Sequence, residues 1–461
     1  MKLKFGIILL LFFGTFYAQN DRVLTLPEYL GYVKKYHPVV KQAQLITNQA
    51  EAKLLKARGA FDPKVGVDFN KKEFKETEYY NKLNAAFKIP TWYGVEFKAN
   101  YEKNSGYYLN PESNVPDDGL YSAGVSVSLA KGLLMNQRMA TLKKAKLFNQ
   151  QAEAEQSLAV NEILYDALTV YFYWLKNYQT YEAYIDFRKN ALDRLDNVKT
   201  SFEAGEKPAI DTLEASINLN NRKLDVEKAR IGYIKAKLKL SNYLWLADNI
   251  PLELQENIIP DVNTLQSADA VLKSSLTQPS DSITNQHAKI QALNFKKESL
   301  LVDRNLKRNN LLPKVDAQYN FLSEEVNTEY LTTDNYKGGL QVSIPLFLRK
   351  ERGDLKLAQA KLQDMDFEIS AQKVAINNKI EATYNEIESY TNQQLLLNGL
   401  VNDYERLVNA EERKFLLGEG SIFLINYREV KLIEAKIKQI ETENKFLNAK
   451  ASMHRMLSNI L

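Results

Sequence analysis

From Leu355 to Phe415 the chain contains no proline, and apolar residues recur at three- and four-residue steps through Leu355, Leu362, Met365, Phe367, Ile369, Val374, Ile380, Tyr384 and Ile387. That spacing predicts one helix with a single buried stripe. A run of roughly 68 residues is about 100 Å long at 1.5 Å per residue, several times an ordinary globular helix. Such a helix needs a partner along its whole length. Gly418-Glu419-Gly420 permits a tight reversal, and Phe423 to Met456 then carries a returning antiparallel helix.

The same device occurs earlier. Phe202-Glu-Ala-Gly205-Glu206 separates a helical run starting near Gly132 from one ending near Leu246, as Phe415-Leu-Leu-Gly418-Glu419 separates the later pair. The flanks repeat as well: His37-Pro-Val-Val-Lys-Gln-Ala-Gln echoes His287-Ala-Lys-Ile-Gln-Ala-Leu-Asn, and Phe61-Asp-Pro63-Lys64-Val65 echoes Leu311-Leu-Pro313-Lys314-Val315, both 250 positions apart. The chain is therefore expected to hold two structural repeats, 19–248 and 281–461, joined by a connector over 249–280. Their hairpin turns fall at 202–208 and 415–421.

Between the first short helices and the first long one the period changes. Val65, Val67 and Phe69 alternate with polar partners, as do Leu83 to Ile89, Tyr93 to Tyr101 and Tyr121 to Leu129. Reversals are read at Glu76 to Asn81, at Pro90-Thr91-Trp92 and over the Asn-, Pro-, Asp- and Gly-rich stretch from Asn104 to Gly119. Strands are expected within 64–130, and again within 314–346 near Lys314–Phe321 and Tyr336–Leu346. A membrane barrel and a soluble β-sandwich with one wet face both explain the alternation.

The N-terminus indicates export. Lys2 and Lys4 precede an apolar run from Phe5 to Phe13, and Ala18 offers a small residue before Gln19, so residues 1–18 read as a signal peptide. No later stretch is apolar enough to span a membrane as a helix, so any crossing must be made by strands closed in a barrel. With six candidate strands at most, one chain falls short of the about eight that a barrel needs, and closure requires oligomerisation.

Lysine and arginine number 61 against 57 acids, a net +4 too slight to signal nucleic-acid binding, and there is no cysteine to serve as nucleophile, disulfide or metal ligand. The three histidines are far apart, and His37 and His287 occupy equivalent repeat positions, which points to a shared structural role. Nucleotide-binding glycine loops, HExxH and GxSxG are absent from the sequence. Acidic residues along the helices read as solvated faces. No enzyme, cofactor or metal is expected.

The order of signal, duplicated helix, strands, long helix, glycine turn and returning helix, with Phe-x-x-Gly-Glu at both turns and Val-Ser-Ile-Pro345-Leu-Phe leading into a long helix, resembles the TolC-type outer-membrane efflux protein family. The resemblance implies a mainly α fold with a membrane β part. Duplicated long helical hairpins would form a periplasmic α-barrel, and the strands would contribute to a shared trimeric outer-membrane β-barrel. It implies a homotrimer in the outer membrane of a Gram-negative bacterium, in contact with lipid. There it would act as the passive exit duct of a tripartite efflux or type I secretion system, docked to a periplasmic adaptor and an inner-membrane pump. It further implies that Phe202, Gly205, Glu206, Phe415, Gly418, Glu419 and Gly420 form the periplasmic tip that meets the adaptor. Asp211 matches an acidic constriction position, but Leu424 and Tyr427 stand at the corresponding positions of the second repeat, and Gly420 replaces an arginine. A charged gate is not carried over. Leu424 and Tyr427 either line an apolar ring or pack between helices. The family pattern is four strands per chain, and the additional hairpin at 81–103 leaves four or six open. The alternative is an exported periplasmic coiled-coil scaffold whose β-domain never inserts.

Overall fold

The computed structural model describes residues 22–272, 281–326 and 332–457; the expected signal segment lies outside them. Two long hairpins dominate. In the first, α3 (Gln137–Glu203, 67 residues) is followed by α4 (Ala209–Ser241); in the second, α8 (Arg349–Leu416, 68 residues) is followed by α9 (Ile422–Leu457). Ahead of them stand α1 (Leu26–Tyr36) with α2 (Pro38–Arg58), and α6 (Asp281–Gln286) with α7 (Ala288–Asn309). Among the described residues no helix is long and apolar enough to cross a membrane.

The chain divides into two compact units. The first consists of the described parts of Met1–Val40, Glu162–Thr277 and Ala382–Arg455. Its core takes in aromatic residues of α3: Tyr171, Phe172 and Trp174 are fully buried with Tyr29, Leu168 and Leu240. The connector, which sequence patterning left without structure, contributes here. Residues Ile258–Pro260 (β6) pair in parallel with Arg22–Leu24 (β1), and Thr264–Leu272 forms α5. Tyr171 fixes this strip: its hydroxyl donates to the Leu24 carbonyl at 2.8 Å and accepts from the Asp261 N–H at 3.2 Å. Burial pushes its pKa up to about 12, so it stays a neutral donor.

The second unit consists of the described parts of Lys41–Asn161, Gln278–Glu381 and Met456–Leu461, and holds one six-stranded antiparallel sheet. Its strands are β2 (Lys64–Phe74), β3 (Thr77–Pro90), β4 (Val95–Ser105), β5 (Leu120–Ser128), β7 (Lys314–Ser323) and β8 (Tyr336–Ser343), adjacent in that order. All six expected strands form. The first reversal differs from the expected one over Glu76 to Asn81: β2 and β3 meet at a two-residue turn with Lys75 and Glu76 both at positive φ (51° and 60°), the geometry of a tight type I′ hairpin. Both strands are longer in consequence. α3 starts at Gln137, not near Gly132, because Asn136 caps it, accepting from the Met139 N–H at 2.8 Å while its amide donates to the Trp92 carbonyl at 3.0 Å.

Residues 281–308 contain no proline, yet the helix there is broken at His287, and the break matches the one at His37. Each histidine leaves the helical region (ψ 130°) and accepts through Nδ1 from the N–H two residues on, Val39 at 3.2 Å and Lys289 at 3.1 Å. The shared role inferred from the repeat is helix capping. Because burial lowers both pKa values and Nδ1 must be unprotonated to accept, each cap is complete above the ordinary histidine pKa. It is lost as pH falls through the lower folded value. The thermal midpoint should therefore drop between pH 6.5 and 5. In His37→Asn/His287→Asn, where the side-chain oxygen caps at any pH, that slope should flatten; an unchanged slope would reject the caps as its source.

Candidate functional site

Two surfaces carry the chain's functional potential, one in each unit. The first is the sheet. Following the register across the strands, Val65 faces Phe87, Phe87 faces Ala99, Ala99 faces Ala123, Ala123 faces Phe321, and Phe321 faces Tyr336. Parallel rows run Val67–Ala85–Tyr101–Tyr121 and Ile89–Phe97–Val125–Tyr319, so one face is apolar from edge to edge. The alternate positions are polar: Lys64–Lys88–Lys98 in one row, Asp68–Asn84–Glu102 in a second and Glu96–Ser126–Gln318–Gly339 in a third. The apolar face is left open. Val65 is 77% exposed, Leu340 69% and Val67 63%, far more than the inner face of a β-sandwich would show.

Sequence and contacts together explain how the sheet is held. Ser128 donates to Asp316 at 2.6 Å across β5 and β7, and Arg138 at the start of α3 pairs with Glu96 of β4. Asn309 at the end of α7 donates to the Lys131 and Met135 carbonyls, tying the irregular segment before α3 to the inbound helix. The strand ends are thus fastened to helices on the polar side.

The second surface is the pair of hairpin ends. Both turns close in the same way. Gly205 N–H donates to the Phe202 carbonyl and Glu206 N–H to the Ser201 carbonyl, both at 2.9 Å. Gly418 N–H donates to Phe415 at 3.1 Å and Glu419 N–H to Lys414 at 2.9 Å. This is the Schellman arrangement, with glycine at the one residue that must be left-handed (φ 78° and 80°). Gly420 has a different reason: a Cβ there would lie 2.8 Å from the Phe415 nitrogen. Phe-x-x-Gly-Glu is therefore a helix-stop signal, and its phenylalanines diverge. Phe415 is buried among Leu195, Leu219, Ile422 and Ile425, whereas Phe202 is 44% exposed. The Lys207 ammonium lies 4.3 Å from the Phe415 ring centre, so the two turns touch. Glu206, Gly205, Gly418 and Glu419 are exposed.

Asp211 is half-buried in the first turn of α4. Leu424 and Tyr427 lie on the open side of α9, 38% and 49% exposed, while Ile422, Ile425 and Glu429 take the packed side. Within one chain, then, both side chains are partly exposed. Asn426 joins α9 to α4 through Asn218 and, at 3.2 Å, Glu214.

Behind these turns is a group that the sequence reading placed on solvated faces. Glu429 of α9 is 1% exposed and accepts from Arg194 of α3 at 2.9 Å, with the Arg222 Nε of α4 at 3.8 Å. Arg194 also donates to Glu412 of α8 at 2.8 Å, so four helices meet in one ionic cluster. Burial opposes the Arg194 charge, and Glu429 and Glu412 outweigh it, holding its pKa above the ordinary arginine value. Partners 218 and 235 positions apart leave no local spacing by which a sequence could reveal them.

Residues 280–459 match the family model for the outer membrane efflux protein. No curated protein matches. Among solved structures, the Campylobacter jejuni CmeC outer membrane channel aligns at 14% identity and a TM-score of 0.63, over 94% of this chain and 85% of its own. A membrane protein from Pseudomonas aeruginosa aligns at 12% and 0.67, over 94% and 92%. The outer membrane protein VceC from Vibrio cholerae aligns at 11% and 0.65, over 94% and 95%. At such identities the likeness establishes the fold. The TolC-type resemblance read from the residues is borne out, in the fold over nearly the whole described chain and in the family match over its second half. Over residues 280–459 the sequence itself matches the outer membrane efflux protein family, and over nearly the whole described chain the fold is the one these solved structures share.

Proposed function

We propose that the protein is the passive exit duct of a tripartite efflux or type I secretion system. It acts as a homotrimer that docks to a periplasmic adaptor and an inner-membrane pump and carries their cargo across the outer membrane. The observation that carries this reading is the sheet: six strands, too few to close alone, with an apolar face left exposed and a polar face opposite. Such a face is stable in lipid and costly in water. The chain is organised as two repeats, 19–248 and 281–461, each supplying strands to the barrel and one hairpin to the periplasmic tunnel. The turns at Phe202–Glu206 and Phe415–Gly420 form the tip that meets the adaptor.

Membrane fractionation with heat-dependent gel mobility tests the reading. A duct is expected in the outer-membrane fraction as a detergent-resistant trimer that dissociates only on boiling. Recovery as a soluble species with no heat-dependent band would favour an exported coiled-coil scaffold and defeat the channel.

At the tip, Leu424 and Tyr427 of each copy line the narrowest ring, with Asp211 as the nearby acid. Their exposure in the single chain supports this placement. Closure then rests on apolar packing and dewetting. In single-channel recording, Leu424→Asp should raise cation selectivity and introduce block by trivalent cations; unchanged conductance and block would remove Leu424 from the lumen.

A further inference from the structure

Within the trimeric reading above, we propose that three copies close a barrel of eighteen strands, in which β2 of each copy pairs antiparallel with β8 of the next. Four strands per copy would give twelve.

The hairpin at 81–103 joins β3 to β4 inside the sheet, so the only first-repeat hairpin that a four-strand copy could leave out is β2–β3 at its end, and that hairpin is a full part of the sheet. β3 is paired along its length, from Lys64↔Lys88 to Phe74↔Thr77 on one side and from Asn81↔Ser105 to Pro90↔Glu96 on the other. Its apolar residues continue the apolar rows of β4 and β5 without a change of face, and its polar residues continue the polar ones. A hairpin folded away from the barrel would have to break those rows.

The outer strands are β2, paired to β3, and β8, paired to β7. Each presents an unpaired edge, the usual invitation to another strand. With six antiparallel strands β2 and β8 run in opposite directions, so a ring of identical copies has antiparallel seams throughout. The side-chain period selects the register at the seam. The apolar positions of β2 are the odd residues Val65, Val67 and Phe69, and those of β8 are the even residues Tyr336, Leu340 and Val342. Aligning the helix-side ends, Lys64 opposite Ser343, sets Val65 against Val342 and Val67 against Leu340; a one-residue slip would put each apolar side chain on the polar face.

This register closes geometrically. The hydrogen-bonding direction leads from Lys64 through Lys88, Lys98, Gly124 and Asn320 to Lys337. In the seam register Lys337 faces Asn70 of the next copy, so each copy advances the path from position 64 to position 70. Three copies accumulate a stagger equal to the strand number, which with strands 4.8 Å apart and about 3.3 Å per residue gives a tilt of about 35°, within the range of membrane barrels. The backbone diameter is then roughly 34 Å, against roughly 23 Å for twelve strands at the same tilt.

The chain's lack of cysteine makes the test direct. In Val67→Cys/Leu340→Cys, mild oxidation of outer membranes should give dimers and trimers that survive boiling without reductant, because directly opposed residues have Cβ atoms about 4.5–5.5 Å apart. Val65→Cys/Val342→Cys should do the same, which guards against one pair disturbing assembly. Val67→Cys/Gln341→Cys, which places the thiols on opposite faces, should not. If instead Phe97→Cys/Leu340→Cys links copies, β4 is the outer edge and the barrel has twelve strands. A heat-sensitive trimer in the outer membrane with neither seam pair linked overturns the eighteen-strand barrel and leaves the channel reading standing. A soluble, unlinked monomer overturns both.

Discussion

Replacing Glu429 by alanine is expected to be among the most damaging single changes in the helical part, costing about 3 kcal/mol of local stability. The carboxylate is 1% exposed and lies between Arg194 and Arg222, which are themselves almost fully buried. Its removal leaves two almost fully buried guanidinium groups facing each other without the carboxylate between them. Arg194 keeps Glu412, and Arg222 keeps Asp225 at 3.1 Å, which sets the cost at the lower end of what breaking a buried ion pair entails. Amide hydrogen exchange around 190–198 and 425–433 reads the effect where it arises, and a loss of this size accelerates exchange by roughly 100-fold. Arg194→Met/Arg222→Met/Glu429→Leu removes all the buried charge and should recover most of the protection, since well-packed apolar replacements of buried ion pairs are often neutral. Protection in Glu429→Ala within about threefold of the parent would show that water or rearrangement satisfies the arginines.

The parts of the fold legible in the sequence are those whose signal is local and periodic. Alternation in β2 to β5, β7 and β8 announces six strands, and Phe-x-x-Gly-Glu announces both turns because the Schellman motif asks for glycine at one fixed position. His37 was legible as a break through Pro38, which cannot donate within a helix. His287 makes the same break, but Ala288 after it carries no such mark, so nothing in the local sequence separates α6 from α7. The strands β1 and β6 are three residues each, too short for a period to appear, and their order is imposed by Tyr171, which is 90 positions from Asp261. The ionic cluster escaped for the same reason. A buried Glu429 and a solvated glutamate look alike until four helices are brought together.

The sheet offers the sharpest separation between a membrane barrel and a soluble domain, through Ala99→Arg compared with Gln318→Arg. Ala99 sits in the row Phe87–Ala99–Ala123–Phe321 of the apolar face, four residues from the helix-side end of β4 at Val95. At about 3.4 Å per residue and the tilt of a membrane barrel this is roughly 11 Å along the normal, near the middle of an apolar band about 25 Å tall. An arginine there should cost about 2–4 kcal/mol in lipid. Gln318 is exposed on the polar face between Ser126 and Gly339, where an arginine has room and water. Urea titration of the heat-sensitive trimer should therefore show Ala99→Arg strongly destabilised and Gln318→Arg close to the parent, with the latter shifting conductance toward anions. On a soluble domain the apolar face would already be in water, and a surface arginine there would stay within about 0.5 kcal/mol of the parent. Equal stability of the two variants would remove the lipid from that face, and with it the argument that this sheet spans a membrane.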